Sequence, residues 1–355
     1  MRKTNKRTGT IPKQQILYEK SVCKHKGNRM KTAIITGVNG QDGSFLAEHL
    51  LSKNYEVVGF VRRSSSEDKK LYNIEHLLDN SKFIIEYGDL TDASSLWRVI
   101  HDYMPEEFYN LGAQSHVGVS FQAPESTTQI NATGVLNCLE AIRNVFPQTK
   151  FYQASTSEMF GDNMNAPQSE ETMLSPVSPY ACAKVYAHNL VINYRKAYDL
   201  FACSGILFNH ESERRGEQFV TRKITKAAAR IKLGLQNELR LGNLDAKRDW
   251  GYAKEYVQAM WLMLQQEKPD DYVIGTGKTH TIREFVECVS EIAQFDLMKH
   301  VVIDEKYKRP SEVPLLLADP SKAKQKLGWE AKTSLKELAE IMYKNDLEKE
   351  MINVK

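Results

Sequence analysis

The feature that most constrains this chain is a glycine-rich stretch between a strand pattern and a helix pattern near residue 40. Residues 31–36 form an apolar run typical of a buried strand, and residues 44–51 carry apolar side chains at helical spacing. Small residues between them allow a tight turn and let the backbone approach a pyrophosphate at the helix N-terminus. The pattern therefore predicts a dinucleotide-binding loop formed by Gly37, Val38, Asn39, Gly40, Gln41, Asp42 and Gly43.

Strand and helix patterns continue to alternate through the first 205 residues. Apolar strand patterns recur, with helical stretches between them, at residues 55–61, 83–89, 107–111 and 151–155. Such alternation indicates parallel β-α-β units. We therefore expect an α/β protein with a Rossmann-type doubly wound parallel sheet over residues 31–205. A smaller mixed α/β substrate-binding lobe should follow over residues 206–350, with segments returning to the first domain and helix patterns at residues 216–235 and 254–266.

Residues 1–30 differ from the rest of the chain in charge and in pattern. They contain nine Lys and Arg residues and a single acid, whereas the whole chain has a net charge of +3. They also show little hydrophobic periodicity, which is typical of a solvated, disordered tail. The sequence favours such a tail over a nucleic-acid or membrane contact. We expect deletion of residues 1–29 to leave activity intact.

The cysteines and the apolar runs bear on the compartment. The five cysteines are scattered and include no Cys-x-x-Cys spacing, so they fit neither a disulfide framework nor a zinc site. No apolar run approaches the roughly 18 residues that a membrane-spanning helix requires. The sequence therefore predicts a cytoplasmic protein without a bound metal.

The segment after the second strand pattern indicates which dinucleotide binds. It reads Arg62-Arg63-Ser64-Ser65, with no acid at the strand end. An acid there binds the ribose diol of NAD, whereas guanidinium and hydroxyl groups suit the 2′-phosphate of NADP. The sequence therefore predicts NADP as the cofactor.

The candidate catalytic groups are concentrated between residues 155 and 184. Tyr180 and Lys184 are four residues apart, so on a helix they share one face. A nearby ammonium favours the phenolate, so we expect Lys184 to lower the pKa of Tyr180. Thr156 and Glu158, at the end of a strand pattern, add a hydroxyl and a carboxylate that can transfer protons.

The glycine loop, the Tyr-x-x-x-Lys spacing and the Ser-Thr pair at a strand end resemble the extended short-chain dehydrogenases/reductases. Longer blocks make the chain similar to the GDP-mannose 4,6-dehydratase family, over residues 36–44, 62–66, 87–92, 110–117, 151–158, 205–212 and 242–250. The resemblance implies conversion of GDP-mannose to GDP-4-keto-6-deoxymannose and water, with NADP regenerated in each cycle. It also implies a homodimer or homotetramer.

The resemblance further implies roles for individual residues. Tyr180 takes the C4 hydroxyl proton, Thr156 passes it on, and Lys184 also holds the nicotinamide ribose. Glu158 removes the C5 proton and protonates the departing C6 hydroxyl. Further cofactor contacts are implied for Asp89, Leu90, Leu111, Gly112, Ala113, Gln114, Ser115, His210 and Arg215. Substrate contacts are implied for Ser157 in a supporting role and for Asn209, Lys223, Arg248, Arg309 and Glu312.

Two positions depart from the family's usual pattern, and two other functions stay open. Glu213 stands where the family usually has proline, and Ser126 stands where it usually has a tyrosine at the cofactor.

One alternative is a nucleotide-sugar 4-epimerase or decarboxylase on the same scaffold, against which Glu158 and Arg62 argue. The other is a non-catalytic NADP-binding regulator, against which the intact Tyr-x-x-x-Lys pair argues.

Overall fold

The structure is a computed structural model that describes residues 30–63, 71–307, 313 and 315–354. The basic segment of residues 1–29 lies outside the described residues. So do four of the candidate site residues, Ser64, Ser65, Arg309 and Glu312.

The first part of the chain alternates between strands and helical segments. Its elements are β1 (Thr32–Thr36), α1 (Gln41–Ser52), β2 (Glu56–Val61), β3 (Phe83–Tyr87), α2 (Ala93–Tyr103), β4 (Glu107–Asn110), α3 (Val117–Gln122), α4 (Pro124–Thr128), α5 (Gly134–Val145), β5 (Lys150–Thr156), α6 (Pro179–Tyr198) and β6 (Ala202–Leu207). Short 3-10 turns occupy Tyr72–Leu77 and Ser157–Phe160, and one π-helical turn precedes α5 at Gln129–Thr133.

The second part has shorter strands and more irregular connections. Its elements are β7 (Asn209–Glu211), α7 (Val220–Lys232), β8 (Leu239–Leu241), β9 (Lys247–Arg248), β10 (Trp250–Tyr252), α8 (Ala253–Leu264), β11 (Tyr272–Ile274), β12 (His280–Thr281), α9 (Ile282–Ala293), β13 (Val301–Ile303), α10 (Ser321–Leu327) and α11 (Leu335–Val354). Helix α9 begins at a capping box, in which Thr281 accepts from the Glu284 N–H and Glu284 reaches back to the Thr281 N–H.

Within the described residues, the central sheet has seven strands in the order β11-β6-β5-β4-β1-β2-β3. Every neighbouring pair in it is parallel. The chain runs outward from β1 to one edge and then returns to begin the other half at β4. Ligands of such sheets bind at the carboxyl ends of the strands, beside the point where the strand order reverses. The expected Rossmann-type doubly wound fold is confirmed.

Helices cover both faces of the sheet, and successive strand residues point to opposite faces, so both sets of side chains are buried. Ile35 packs in one cluster with residues of α1 and α8, including Leu46 and Met260. Its neighbour Ile34 packs in the opposite cluster with residues of α2, α5 and α6, such as Leu96. Near-continuous apolar strands are thus explained by two helical layers, and the sheet is a rigid base for the loops at its edge.

A separate apolar cluster holds the elements beyond β7 together. It joins α7, α9 and α11 through residues such as Ile224, Phe285 and Met342. Strand β11 leaves this lobe and pairs with β6, Tyr272 lying opposite Gly205. Helix α8 likewise packs on the sheet beside α1.

One expected helix boundary is wrong. The pattern over residues 216–235 indicates a helix throughout, but α7 occupies only Val220–Lys232. Residues 216–219 instead form a turn, in which the Phe219 N–H donates to the Gly216 carbonyl at 3.1 Å. This turn carries Phe219 into the cleft described below. Across the described ranges, no helix combines the length and apolar character that crossing a lipid bilayer demands.

Candidate active site

A cleft of about 860 Å³ lies at the carboxyl ends of the central strands, between the sheet and the second lobe. Its wall contains many of the residues that the sequence singled out, namely Asp42, Leu111, Ala113, Ser115, Thr156, Ser157, Glu158, Tyr180, Lys184, Asn209, His210, Arg215, Lys223 and Arg248. The other described candidates are not part of this wall: Gly37, Val38, Asn39, Gly40, Gln41, Gly43, Arg62, Arg63, Asp89, Leu90, Gly112 and Gln114.

The glycine loop has the geometry that a pyrophosphate requires. Gly37 has a φ of +66°, which side-chain-bearing residues rarely adopt. A Cβ on Gly43 would lie 2.3 Å from the Gly37 carbonyl oxygen, so the first turn of α1 packs directly on the loop. Gly40 precedes α1 with no side chain to cap its first N–H groups. Those N–H groups and the positive end of α1 can therefore bind phosphate oxygens, and the loop fits a dinucleotide.

Asp42 and His210 form a buried pair that links the start of α1 to β7. His210 Nε2 lies 2.7 Å from Asp42 Oδ2, and His210 Nδ1 lies 2.7 Å from the Phe208 carbonyl. The imidazole also stacks on Tyr256 at 4.7 Å. Burial alone would lower the pKa of His210, but the charge and hydrogen bond of Asp42 outweigh it and raise that pKa. Burial alone would raise the pKa of Asp42, yet the facing His210 lowers it. The two residues therefore form an ion pair.

The loop after β4 is held by side chains that the sequence reasoning missed. Thr36 Oγ1 accepts from the Leu111 and Gly112 N–H groups at 3.1 and 3.0 Å. Asn131 binds Gln114 twice, accepting from its N–H and donating to its carbonyl, each at 2.9 Å. These contacts hold residues 111–115 against the cleft. Thr36 and Asn131 are not close in sequence to the residues that they bind, so no local sequence pattern predicts these contacts.

A second missed residue supports the glycine loop. Asn73, in the 3-10 turn after β2, donates from Nδ2 to the Asn39 carbonyl at 3.1 Å.

The expected adenine-side residues follow β3. Asp89 accepts from the Thr91 N–H and hydroxyl at 2.9 and 2.8 Å, and Leu90 is buried. Asp89 is thus engaged in a local turn that shapes this edge.

Two arginines follow the end of β2. Arg62 and Arg63 are both exposed, directly after Val61 at the strand end. The Arg63 guanidinium lies 5.9 Å from the centre of the Tyr87 ring. In this fold the position after the second strand faces the adenosine ribose. The two arginines therefore follow the strand whose end faces that ribose.

Thr156 and Glu158 lie together at the carboxyl end of β5. Thr156 is the last strand residue, and its hydroxyl accepts from the Glu158 N–H at 3.2 Å. Glu158 follows in the first turn of the short 3-10 segment, and both side chains are buried in the cleft wall. The end of β5 thus presents a hydroxyl and a carboxyl group to the same space as Tyr180.

Tyr180 and Lys184 share one face of α6, which begins with Ser178 as N-cap and Pro179 at its first position. The Lys184 Nζ lies 5.9 Å from the centre of the Tyr180 ring and donates to the Ala154 carbonyl at 2.7 Å. The expected lowering of the Tyr180 pKa by Lys184 is wrong for this structure. Burial raises the pKa of Tyr180 to about 12, although a hydrogen bond with Thr156 opposes the rise. Burial also lowers the pKa of Lys184 to about 8.

Three expected substrate contacts occupy the second-lobe side of the cleft. Arg248 is buried in β9, and its Nη1 donates to the Val313 carbonyl at 2.8 Å. The Lys223 Nζ lies 3.2 Å from the centre of the Tyr307 ring, and burial lowers the pKa of this lysine. Within the described residues, Asn209 Oδ1 is buried without a hydrogen-bond partner. These groups supply two cations and one acceptor to a polar ligand.

The two departures from the family pattern have distinct surroundings. Glu213 lies in the loop before α7, where the Tyr252 hydroxyl donates to its carboxylate at 3.3 Å. Its acid is therefore hydrogen-bonded to β10 and is not part of the cleft wall. Ser126 is an exposed residue of α4 and is likewise outside that wall.

Aromatic residues that the site prediction omitted also line the cleft. His116 precedes α3, and its ring lies 5.7 Å from that of Phe219, so the pair bridges the two lobes. The Arg215 guanidinium lies 3.6 Å from the centre of the Phe219 ring. The turn over residues 216–219 creates this arrangement, which a continuous helix pattern conceals. No group of three His, Cys, Asp or Glu side chains in the described ranges is arranged to hold a metal ion.

The chain is similar to known proteins over most of its length. The model of the GDP-mannose 4,6-dehydratase family matches residues 34–342. GDP-mannose 4,6 dehydratase 1 of Arabidopsis thaliana is 52% identical over 326 residues, covering 90% of this chain and 90% of the relative. GDP-mannose 4,6-dehydratase of Vibrio cholerae is 49% identical over 350 residues, covering 89% of this chain and 94% of the relative.

A solved structure shows the same architecture at lower identity. UDP-glucose 4-epimerase of Thermus thermophilus, in complex with NAD, superposes with a TM-score of 0.77 at 25% identity. The match covers 89% of this chain and 98% of the epimerase. The architecture is thus shared with a nucleotide-sugar epimerase, while the much higher identity lies with the dehydratases. The chain is a member of the GDP-mannose 4,6-dehydratase family.

Proposed function

We propose that this protein converts GDP-mannose to GDP-4-keto-6-deoxymannose and water. One observation carries the proposal: Thr156, Glu158, Tyr180 and Lys184 line a single cleft. Oxidation of an alcohol needs a base at the hydroxyl, and loss of water needs a group that moves a proton from carbon to oxygen. The cleft presents a phenol for the first task and a carboxyl group for the second.

Tyr180 is the base of the first step. Its phenol shares a hydrogen bond with Thr156, so Thr156 can pass the C4 hydroxyl proton to it. Because burial raises the pKa of Tyr180 to about 12, the phenolate must be stabilised at the moment of reaction. The positive charge of Arg215 already acts in that direction. Lys184, held by the Ala154 carbonyl, adds its ammonium on the same helix face.

Glu158 is the acid and base of the elimination. A ketone at C4 makes the C5 hydrogen acidic, so a carboxylate can remove it. The same carboxyl group then gives the proton to the C6 hydroxyl, which leaves as water. Glu158 is buried at the end of β5, beside Thr156 and away from bulk solvent. Such a position favours transfer within the site over exchange with water.

We propose NADP as the bound dinucleotide. When bound, it would supply reversible hydride transfer, by which C4 is oxidised at the start of the cycle and C6 is reduced at the end. The N-terminus of α1 would hold the pyrophosphate, and Arg62 and Arg63 would face the 2′-phosphate. Asp89 and Leu90 would flank the adenine, and residues 111–115 would line the ribose and the pyrophosphate.

The second lobe would hold the GDP part of the substrate. Lys223 and Arg248 supply positive charge for the diphosphate, and Asn209 offers a buried acceptor. Ser157 stands beside the reacting sugar in a supporting role. Arg309 and Glu312 lie outside the described residues and join this set through the resemblance alone.

The quaternary state and the compartment also belong to the proposal. We expect a homodimer or homotetramer in a reducing, cytoplasmic setting. The thiols of Cys138, Cys182, Cys203 and Cys288 are free, which suits such a setting. Light scattering after size-exclusion chromatography measures the assembly directly. A monomeric active enzyme would remove this part of the proposal.

Product mass tests the reaction. Incubation of the purified protein with GDP-mannose and NADP should give a product lighter by one water, without net accumulation of NADPH. Deuterium placed at C4 should appear in the C6 methyl group. A product of unchanged mass would point to an epimerase, and loss of the deuterium to solvent would contradict internal hydride return.

A further inference from the structure

A buried ion pair joins the two longest helices of the second lobe. The Arg222 Nε on α7 donates to both carboxylate oxygens of Asp346 on α11, at 2.6 and 2.8 Å. The Thr225 hydroxyl donates to Asp346 Oδ2 at 2.6 Å. The side chains of Arg222 and Asp346 are only 7% and 2% exposed. The cost of burying two charges is offset only when such geometry is well satisfied.

The same guanidinium also holds a loop of the active site. Arg222 Nη1 donates to the Glu213 carbonyl at 2.7 Å and to the Arg215 carbonyl at 3.1 Å. Asn345, the neighbour of Asp346 on α11, donates to the Glu213 carbonyl at 3.4 Å. The backbone of residues 213–215 is therefore tied to α11 through Arg222, which binds Asp346, and through Asn345.

The loop of residues 213–215 places Arg215 at the cleft. Arg215 lies in the cleft wall, and its Nε lies 2.9 Å from Glu211 Oε2 without being aligned for a hydrogen bond. Its guanidinium stacks on Phe219. Its charge acts on Tyr180, on His210 and on Asp42. A small shift of the loop would therefore move a cation relative to both the proposed base and the start of α1.

We infer that Arg222 and Asp346 are positioning residues that set the place of Arg215 in the dinucleotide site. The inference rests on the proposed function, because it takes Arg215 as one of the dinucleotide contacts that the family resemblance implies. Arg222 suits this role because its planar guanidinium can donate to a carboxylate and to two carbonyls at once, which a lysine ammonium cannot do. The C-terminal helix thus takes part in ligand binding without contacting the ligand.

The chain supplies a matched control on the same two helices. Arg230 on α7 and Glu350 on α11 form an ion pair at 2.7 Å. The other described contacts of Arg230 are with Leu235 and Gln236, away from residues 213–215. Glu350→Gln therefore weakens the contact between the helices and leaves the active-site loop in place.

The test measures NADPH binding by fluorescence titration together with the melting temperature. Asp346→Asn should raise the Kd for NADPH roughly 3- to 10-fold, and Glu350→Gln should leave it unchanged. Arg222→Lys keeps the charge pair but lacks the bidentate guanidinium, so it should raise the Kd for NADPH with a smaller loss of melting temperature than Asp346→Asn causes. This variant keeps the test informative if Asp346→Asn does not fold.

A double-mutant cycle shows whether the effect passes through Arg215. If it does, Asp346→Asn should add nothing to the Kd of an Arg215→Ala variant. Additive effects, or an unchanged Kd in both Asp346→Asn and Arg222→Lys, would overturn the role assigned to the pair. Turnover of GDP-mannose by the wild type tests the proposed function separately, so the two proposals can fail independently.

Discussion

The ammonium of Lys184 lies 5.9 Å from the centre of the Tyr180 ring, and burial drives the two groups toward their neutral forms. The pKa of Tyr180 is raised to about 12 and that of Lys184 is lowered to about 8. Both directions oppose the charged forms that the reaction uses. The resting protein therefore holds an unfavourable arrangement at the proposed active site.

The first prediction is that Lys184→Met abolishes turnover and stabilises the fold. Because the pKa of Lys184 falls from 10.5 to about 8 on folding, the unfolded chain binds more protons between these pH values. Stability therefore rises with pH across that window, and the charged lysine is a cost below it. We expect Lys184→Met to raise the free energy of unfolding by about 1–3 kcal/mol at pH 7.

Urea unfolding at pH 7 and at pH 10 measures this change. The advantage of Lys184→Met should shrink at the higher pH, because at pH 10 the buried lysine is neutral in the folded state. The Ala154 carbonyl keeps a second donor, Gln153 Nε2 at 2.9 Å, so it is not left unpaired. Tyr180→Phe is the control, since it removes the phenol without removing a buried charge. A destabilised Lys184→Met variant at pH 7 would contradict the assignment.

The second prediction separates the two proton transfers. Glu158→Gln should leave oxidation at C4 measurable, because Tyr180 and Thr156 are untouched. Loss of water should fall by about 10²- to 10⁴-fold, the usual contribution of a general acid or base. Reduced nicotinamide, detected by its absorbance, should then accumulate with a 4-keto product that retains its C6 hydroxyl.

Glu171→Gln is a suitable control for the second prediction, since Glu171 is exposed and outside the cleft wall. It should dehydrate GDP-mannose at the wild-type rate. Normal dehydration by Glu158→Gln would instead leave Glu158 as a residue that only complements the first turn of its helical segment.

The parts of the site that were predictable are those encoded over short stretches. The strand–glycine–helix pattern at Gly37 and the four-residue spacing of Tyr180 and Lys184 are local, so the periodicity and the backbone requirements of a few neighbours are sufficient. Strand positions were also predictable, because a parallel sheet covered on both faces needs near-continuous apolar runs.

The rest depends on packing between distant segments. Asn73 and Asn131 hold two loops through hydrogen bonds to backbone groups, and nothing near them in the sequence signals that role. Arg222 and Asp346 are separated by 124 residues. The pKa of Tyr180 was misjudged for the same reason, since the spacing to Lys184 is local but the desolvation is set by the whole cleft.

The third prediction concerns the choice between NADP and NAD. Arg62→Asp should weaken NADP binding by about 10- to 100-fold, since a 2′-phosphate would lose a cation and face an acid. Binding of NAD should change little or improve, because a carboxylate can accept from the ribose diol. Kd values for both dinucleotides, measured by titration calorimetry, provide the comparison.

Arg283→Asp is the control for the third prediction. Arg283 is an exposed arginine of α9 that pairs with Asp245 at 3.3 Å, and neither residue lines the cleft. Arg283→Asp therefore measures the general effect of the same charge change on the binding of an acidic ligand. Equal losses of NADP and NAD affinity in Arg62→Asp would count against a 2′-phosphate contact.

The fourth prediction follows from the ion pair between Asp42 and His210. The pKa of His210 is raised above 6.5, so its contribution is fully present below pH 6.5 and is lost as pH rises through the folded value. The pKa of Asp42 is lowered below 3.8, so its contribution is present above pH 3.8 and is lost as pH falls through the folded value.

Asp42→Asn keeps the shape of the side chain but not its charge. We expect it to lower the free energy of unfolding by about 1–3 kcal/mol between pH 4 and 6.5, and by less at pH 8 and above.

Urea unfolding at pH 5.5 and pH 8.5 tests this pH dependence, with His76→Gln as the matched control. His76 pairs with Glu48 at 2.7 Å on the surface, with half of its side chain exposed. An exposed pair contributes little, so its removal should change the free energy of unfolding by at most about 0.5 kcal/mol at either pH. Because Asp42 lies at the start of α1, the same variant should also bind NADPH differently at the two pH values. A loss of stability in Asp42→Asn that is the same at pH 5.5 and 8.5 would mean that His210 is neutral throughout and that the contact is an ordinary hydrogen bond.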